Sequence, residues 1–131
     1  MIKPPSIEIS SAFQAKAALP HATIEIVDSR TTSLAAGFTV LRAAEAIAQG
    51  ANLEEAKALA EQARDYVGVV FAVDTLEFLH RGGRIGGASR FLGTALNIKP
   101  ILEVVDGHVE GIEKVRTRSK SLARLVELAE E

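Results

Sequence analysis

The dipeptide Asp106-Gly107 constrains this chain more than any other pair of residues, because it stands between two apolar-rich runs, Ile101 to Val105 and His108 to Ile112. A two-residue loop of this type closes a type I′ turn, whose twist matches that of the flanking strands and which sets an antiparallel register. The pattern therefore predicts a β-hairpin over 101–112. The cations beyond it, Lys114, Arg116, Arg118 and Lys120, alternate and would project to one side of an extended chain. Such runs are usually solvated faces, and a docking surface for an acidic partner is the weaker alternative. A last helix is predicted from Ser119, with Leu122, Leu125, Val126 and Ala129 on one side.

Upstream of the hairpin the signals alternate between helix and strand. A short helix is predicted from Ser11 to Leu19, closed by Pro20, which cannot continue it. Thr23 to Val27 reads TIEIV, a β-branched alternation typical of a strand, and Asp28-Ser29 is placed to cap the next helix. From Thr32 to Gln49, Leu34, Phe38, Leu41 and Ala48 recur at helical spacing, and Gly50 stands where a left-handed C-terminal cap belongs. Asn52 and Glu55 have the spacing of a capping box, followed by the stripe Leu53, Ala56, Leu59, Ala60 and Ala63. Gly68 to Val73, GVVFAV, has no polar alternation, so both of its faces are expected to be covered, as in the central strand of a parallel sheet. Ala88 to Leu96 is predicted as a helix with Phe91, Leu92, Ala95 and Leu96 on its apolar face, stopped by Asn97 to Pro100. The fold class is α/β: part of a parallel sheet covered by helices, then a hairpin-plus-helix portion. Two partial subdomains are expected, residues 1–87 and 88–131.

With 131 residues and no cysteine, the chain has the size of one domain, no disulfide and no thiolate nucleophile. Apolar residues make up 47%, and a net charge of -2 argues against generic nucleic-acid binding, which needs a basic excess. No run is long and apolar enough to suggest a membrane span and no leader pattern is visible, so a cytoplasmic location is expected.

The candidate site is Asp74 to Gly87, DTLEFLHRGGRIGG, at the C-terminal end of the apolar run, where ligands gather in open parallel sheets. Its four glycines could leave amides free, and Arg81 and Arg84 could supply charge, for a phosphate or carboxylate. The equal alternative is a tight connection in which glycines permit close packing. The segment matches no nucleotide-binding glycine motif. Asp74 is expected to cap the amides of Leu76 and Glu77 rather than to act as a base. His21, His80 and His108 are too far apart for a metal face, no serine-hydrolase elbow is present, and Ser10-Ser11 before the first helix reads as a cap.

The run from Val73 to Leu122, VDTLEFLHRGGRIGGASRFLGTALNIKPILEVVDGHVEGIEKVRTRSKSL, resembles the signature region of the DegV family of bacterial fatty-acid-binding proteins. Upstream, IEIVDSRTTSLAAGF and ISSAFQAKAA are similar to that family's V-D-S turn and S-G-T-Y-Q-S-A helix start. The resemblance covers about Ile7 to Leu125.

It implies a non-catalytic carrier that holds one long-chain fatty acid between two α/β domains and presents its carboxylate to a fatty acid kinase. Ser10 falls on the family's headgroup-binding serine. The acyl chain would lie near Ile85, Phe91, Leu92, Leu96, Ile98 and Ile101, with Arg81 and Arg84 at the cleft or facing a partner. No metal and no cofactor beyond the bound acid are implied; transient membrane contact is, and so is self-association if the chain is complete. Two departures stand out: Ser11 and Ala12 replace the family's glycine and threonine, and the chain is shorter than family members, either as a fragment or as a short relative. The rival readings are a protein that binds a small phosphorylated ligand through the Arg81/Arg84 loop, and a truncated relative with only an oligomerisation role.

Overall fold

A computed structural model describes residues 7–93 and 98–131. Helix α1 spans Ile7–Ala18 and ends two residues ahead of Pro20, as the ring of that proline requires. It begins four residues before the predicted Ser11, so Ser10 lies inside the helix rather than ahead of it. Serine is an indifferent helix former, not a stop, and the helix runs through it.

Residues 23–27 do not form the predicted strand; no ladder includes them among the described residues. The alternation survives all the same, with Ile24 and Ile26 half-buried and Thr23 and Glu25 exposed. Glu25 pins the segment electrostatically, lying 3.5 Å from Lys16 on α1 and 2.8 Å from Lys57 on α3. Asp28 accepts from the amide of Arg30 at 2.9 Å, a local turn rather than the helix cap expected of it.

Helix α2, Ser33–Ala48, ends in a Schellman motif: Gly50, at φ +94°, donates to Ile47, and Ala51 donates to Ala46. Helix α3, Leu53–Arg64, opens with the predicted capping box, Asn52 and Glu55 exchanging bonds of 2.9 and 3.0 Å. The two helices pack on one another through buried small residues, Ala35, Thr39 and Ala46 on α2 and Ala56 and Ala60 on α3. The predicted inward stripe of α2 faces the other way: Leu34, Phe38 and Leu41 are 75%, 55% and 53% exposed. Periodicity locates an apolar stripe, but close helix approach selects the face of small side chains.

The sheet contains β1 (Val70–Ala72), β2 (Lys99–Val105) and β3 (His108–Val115) in the order β1-β2-β3. The α/β composition is as expected, but the strand pairing is not. β1 lies antiparallel to β2 at the sheet edge, with Val70 opposite Glu103, and no parallel pair occurs among the described strands. The expected cover on both faces is missing too, since Val70 is 37% exposed and Gly68 is exposed; an apolar run fixes neither the burial of a strand nor the direction of its neighbour. The hairpin matches its prediction in detail, Asp106 and Gly107 taking φ of 48° and 77° and Val105 pairing with His108. β3 runs three residues beyond the predicted Ile112, past an irregularity opposite Ile101 and Leu102.

Of the helix predicted over 88–96, the described residues 88–91 belong instead to a 3-10 turn, Gly86–Phe91; Thr94, Ala95 and Leu96 lie outside the described residues. Asn97 does too, while Lys99 and Pro100 open β2 rather than stop a helix. The turn is drawn onto β3: a Cβ on Gly86 would strike the Val109 backbone, and one on Gly87 the Glu110 carboxylate. Leu102, Leu76, Ala88 and Phe91 form the core cluster on that side of the sheet. Ile101, the next residue along β2 and therefore on its opposite face, is also fully buried.

That second face is covered by α5, Arg118–Glu130, whose start is capped by Thr117 accepting from Lys120. Its inward residues are Ser121, Leu125 and Leu128, while Leu122 and Val126 of the predicted stripe are 52% and 59% exposed. None of the described helices is long and apolar enough to cross a membrane.

Candidate functional site

The site grows out of the end of β1. Thr75 Oγ1, not Asp74, accepts from the Glu77 amide at 3.1 Å at the start of α4, Glu77–Arg81, whose N-cap residue Leu76 has no side-chain cap bond. This short helix ends in a second Schellman motif, with Gly83 (φ +67°) donating to His80 at 3.0 Å and Arg84 donating to Leu79 at 2.9 Å. The amides of Gly82 and Ala88 are also bonded to carbonyls, those of Phe78 and Ile85. Three amides of the glycine segment, those of Gly82, Gly83 and Arg84, are thus occupied by the backbone, which leaves no open cradle at those positions. The glycines serve a helix cap and the approach to β3, the packing alternative of the sequence reading.

The arginines of this segment point to local partners. Arg81 lies 3.3 Å from Glu77 one turn earlier, and Arg84 reaches the Gly82 carbonyl at 3.5 Å.

Between α4, the 3-10 turn and the start of β2 opens a cleft of about 420 Å³. Leu76, Phe91, Leu92, Ile98 and Pro100 supply its apolar lining, and Asp74, Thr75, Glu77, His80 and Lys99 its polar lining. Phe91 is held from behind: its ring fills the space where Gly111 lacks a side chain, and Arg90 and Lys114 each lie 5.2 Å from the ring centroid. Arg90 also donates to the Gly111 carbonyl.

Asp74 organises the polar lining. One carboxylate oxygen lies 3.1 Å from Lys99 Nζ and the other 3.4 Å from Arg118 of α5. The hydrogen bond from Lys99, then its charge and that of Arg118, hold the Asp74 carboxyl below the ordinary aspartate value. The arrangement joins an apolar floor to a charged lining. That suits an amphiphile, and among the described residues no group of three His, Asp or Glu side chains is gathered as a metal ion would require.

The structure brings Phe91, Leu92 and Ile98 together on the cleft. Ile85 packs against the core cluster, Ile101 is buried in the sheet, and Leu96 lies outside the described residues. Ser10, half-buried in α1, is not among the residues lining this cleft, and neither are Arg81 and Arg84. Lys99 and Arg118 are partners of Asp74 that the sequence does not reveal, since they stand 25 and 44 residues away with no short-range signal linking them.

Comparison with known proteins adds an independent line. A family model described as "Uncharacterised protein, DegV family" matches residues 5–131. A DegV domain-containing protein of Streptomyces coelicolor is 44% identical over 106 residues, which is 81% of this chain and 38% of that protein. Protein DegV of Bacillus subtilis is 40% identical over 124 residues, 93% of this chain and 44% of that one. Among solved structures, the chain is similar to a Thermus thermophilus DegV family protein reported as fatty-acid binding, with a TM-score of 0.82, 41% identity, and coverage of 93% of this chain and 43% of that one. It is also similar to Bacillus subtilis DegV, described as a fatty acid binding protein, with a TM-score of 0.78, 37% identity, and coverage of 92% and 43%. The chain therefore spans about two fifths of the length of these relatives.

Proposed function

The chain belongs to the DegV family, and on that footing we propose that it forms part of a non-catalytic cytoplasmic carrier, which holds one long-chain fatty acid and presents its carboxylate to a fatty acid kinase. The observation that carries the lipid part of this reading is the 41% identity to the Thermus thermophilus protein reported to bind fatty acid. The cleft supports it physically, with Phe91, Leu92 and Ile98 on an apolar lining. Transfer of some fifteen methylenes from water yields on the order of 10 kcal/mol gross, before the cost of ordering the chain. The tail alone could then provide affinity, leaving a headgroup contact to set orientation.

In this proposal Ser10 is the carboxylate contact, Arg81 and Arg84 face the partner or the interdomain cleft, and the two subdomains divide between residues 87 and 88. The kinase as partner, and transient contact with a membrane from which the acid is taken up, derive from the family resemblance. The occupied amides of the glycine segment weigh against the rival phosphorylated-ligand reading.

Solvent extraction of the purified, folded protein followed by mass spectrometry tests the proposal. A long-chain acid in stoichiometric amount is expected; folded protein that neither releases such an acid nor takes up added oleate would overturn it. Ser10→Ala is expected to weaken retention of the acid and its phosphorylation by a fatty acid kinase, and unchanged values for both would remove Ser10 from the site.

A further inference from the structure

Strict alternation along β3 would put Gly111 and Lys114 on opposite faces of the sheet, because they stand three residues apart. They share a face instead. Gly111 is opposite Leu102 and Lys114 is opposite Pro100, while Glu113 is opposite Ile101. β3 therefore advances by three residues where β2 advances by two, and Ile112 is the extra residue of a β-bulge. Leu102 belongs to the core cluster with Phe91, and Pro100 lines the cleft, so the bulge turns both Gly111 and Lys114 towards Phe91.

Both residues meet its ring. The missing side chain of Gly111 leaves the ring its space, and the Lys114 ammonium lies over the ring, 5.2 Å from the centroid. Arg90, the residue before Phe91 in the 3-10 turn, brings its guanidinium to the same distance and is anchored on the Gly111 carbonyl. The ion pairs among the described residues use other lysines and arginines, so no carboxylate draws either cation off the ring. Lys114 and Arg90 are exposed and could remain fully hydrated, yet both lie over a ring that is only 8% exposed, as attraction to its negative face favours. Phe91 is the largest apolar side chain on the cleft lining, so the placement of its ring governs how much apolar space the cleft offers.

We infer that Lys114 and Arg90 are positioning residues, which hold the Phe91 ring as a fixed wall of the cleft and thereby limit the length of the acyl chain accepted. The bulge at Ile112 is the device that aims Lys114. This deepens the proposed lipid reading of the cleft and rests on it.

The test compares the full chain with Lys114→Gln, Arg90→Gln and Lys114→Arg. Without lipid, the α-proton resonances of Gly111 report where the Phe91 ring sits; they are expected to move in Lys114→Gln and to stay near the parent position in Lys114→Arg. With delipidated protein, the affinity for stearate relative to myristate is expected to rise at least about threefold in Lys114→Gln and in Arg90→Gln, a factor in the range of one exposed cation–π contact. Lys114→Arg should keep the parent ratio, and the melting temperature of Lys114→Gln should change little. The inference is overturned if the ratio is unchanged in Lys114→Gln, or if both acids weaken equally while the melting temperature falls, as a purely structural lysine would produce. It is overturned equally if Lys114→Arg behaves like Lys114→Gln. Parent protein that takes up neither acid overturns the lipid reading and the selectivity with it; the resonances, read without lipid, tell that failure apart from a ring that Lys114 does not hold.

Discussion

Lys99 Nζ lies 3.1 Å from Oδ1 of Asp74, although 25 residues of chain separate the two. With Arg118 on the second carboxylate oxygen at 3.4 Å, Asp74 links the end of β1 to the start of β2 and the first residue of α5. The cluster therefore ties together three elements that meet only in the folded state. It also sets the charge at one side of the apolar cleft.

The lowered pKa of Asp74 gives a pH signature. The unfolded chain, with Asp74 near its ordinary value of 3.8, binds the proton more readily than the native protein does, so stability rises with pH across this range. The contribution is complete above the unfolded value and disappears as pH falls through the lowered native one. Denaturation midpoints measured from pH 6 down to pH 2 should therefore fall less steeply for Asp74→Asn than for the parent, and parallel curves would refute the assignment.

Gly111 and Phe91 test the packing behind the cleft. A Cβ at position 111 would collide with the Phe91 ring, so Gly111→Ala should destabilise by about 1–3 kcal/mol through forced repacking. Urea denaturation of Gly111→Ala, with and without Phe91→Leu, measures this. The smaller side chain is expected to recover part of the loss, and additive losses would show that the two positions do not meet.

Gly83 and Gly86 both have positive φ, 67° and 50°, but for different reasons. Nothing lies within 4 Å of a Cβ at Gly83, so alanine there meets only the backbone penalty, about 1–2 kcal/mol. A Cβ at Gly86 would also meet the backbone of Val109. Gly86→Ala should consequently cost clearly more than Gly83→Ala by chemical denaturation, and equal costs would mean that the 3-10 turn does not press on β3.

Leu92 separates binding from folding. It lines the cleft yet is 42% exposed, so Leu92→Glu removes apolar lining with little loss of core. Under the proposed function this variant should hold a long-chain acid at least about tenfold less tightly, each buried methylene contributing about 0.8 kcal/mol. Its melting temperature in the absence of lipid should change little. Retention at the parent level, measured by delipidation and re-uptake, would place the acyl chain elsewhere.

The sequence is most legible where a structure closes on itself within a few residues. The type I′ turn at Asp106-Gly107, the Asn52–Glu55 capping box and the Gly50 terminus of α2 all appear as predicted. The family resemblance also holds, because the run from Val73 to Leu122 is long and ordered, and the family model extends over residues 5–131. The candidate site is legible in part: Phe91, Leu92 and Ile98 meet on the cleft, but nothing in the sequence marks the Asp74 cluster. Arg118 reads as part of a solvated cationic run when proximity in sequence is the only guide. The Glu77 amide expected to bond Asp74 meets Thr75 Oγ1 instead, and Leu76, the N-cap residue of α4, offers no side-chain cap.

Turns, caps and apolar stripes thus derive from the sequence by itself, since their hydrogen bonds and periodicities are set by neighbouring residues along the chain. Tertiary structure alone decided which stripes are buried, how β1 is paired and which charges meet. α2 turns Ala35 and Thr39 inward and leaves Leu34 and Phe38 exposed because its neighbour is another close-packed helix. β1 runs antiparallel because the strand available beside it is β2. Asp74 reaches Lys99 and Arg118 because the sheet and α5 bring them there. In each case the outcome depends on which surface arrives next to a residue, and that is a property of the assembled fold rather than of any short segment.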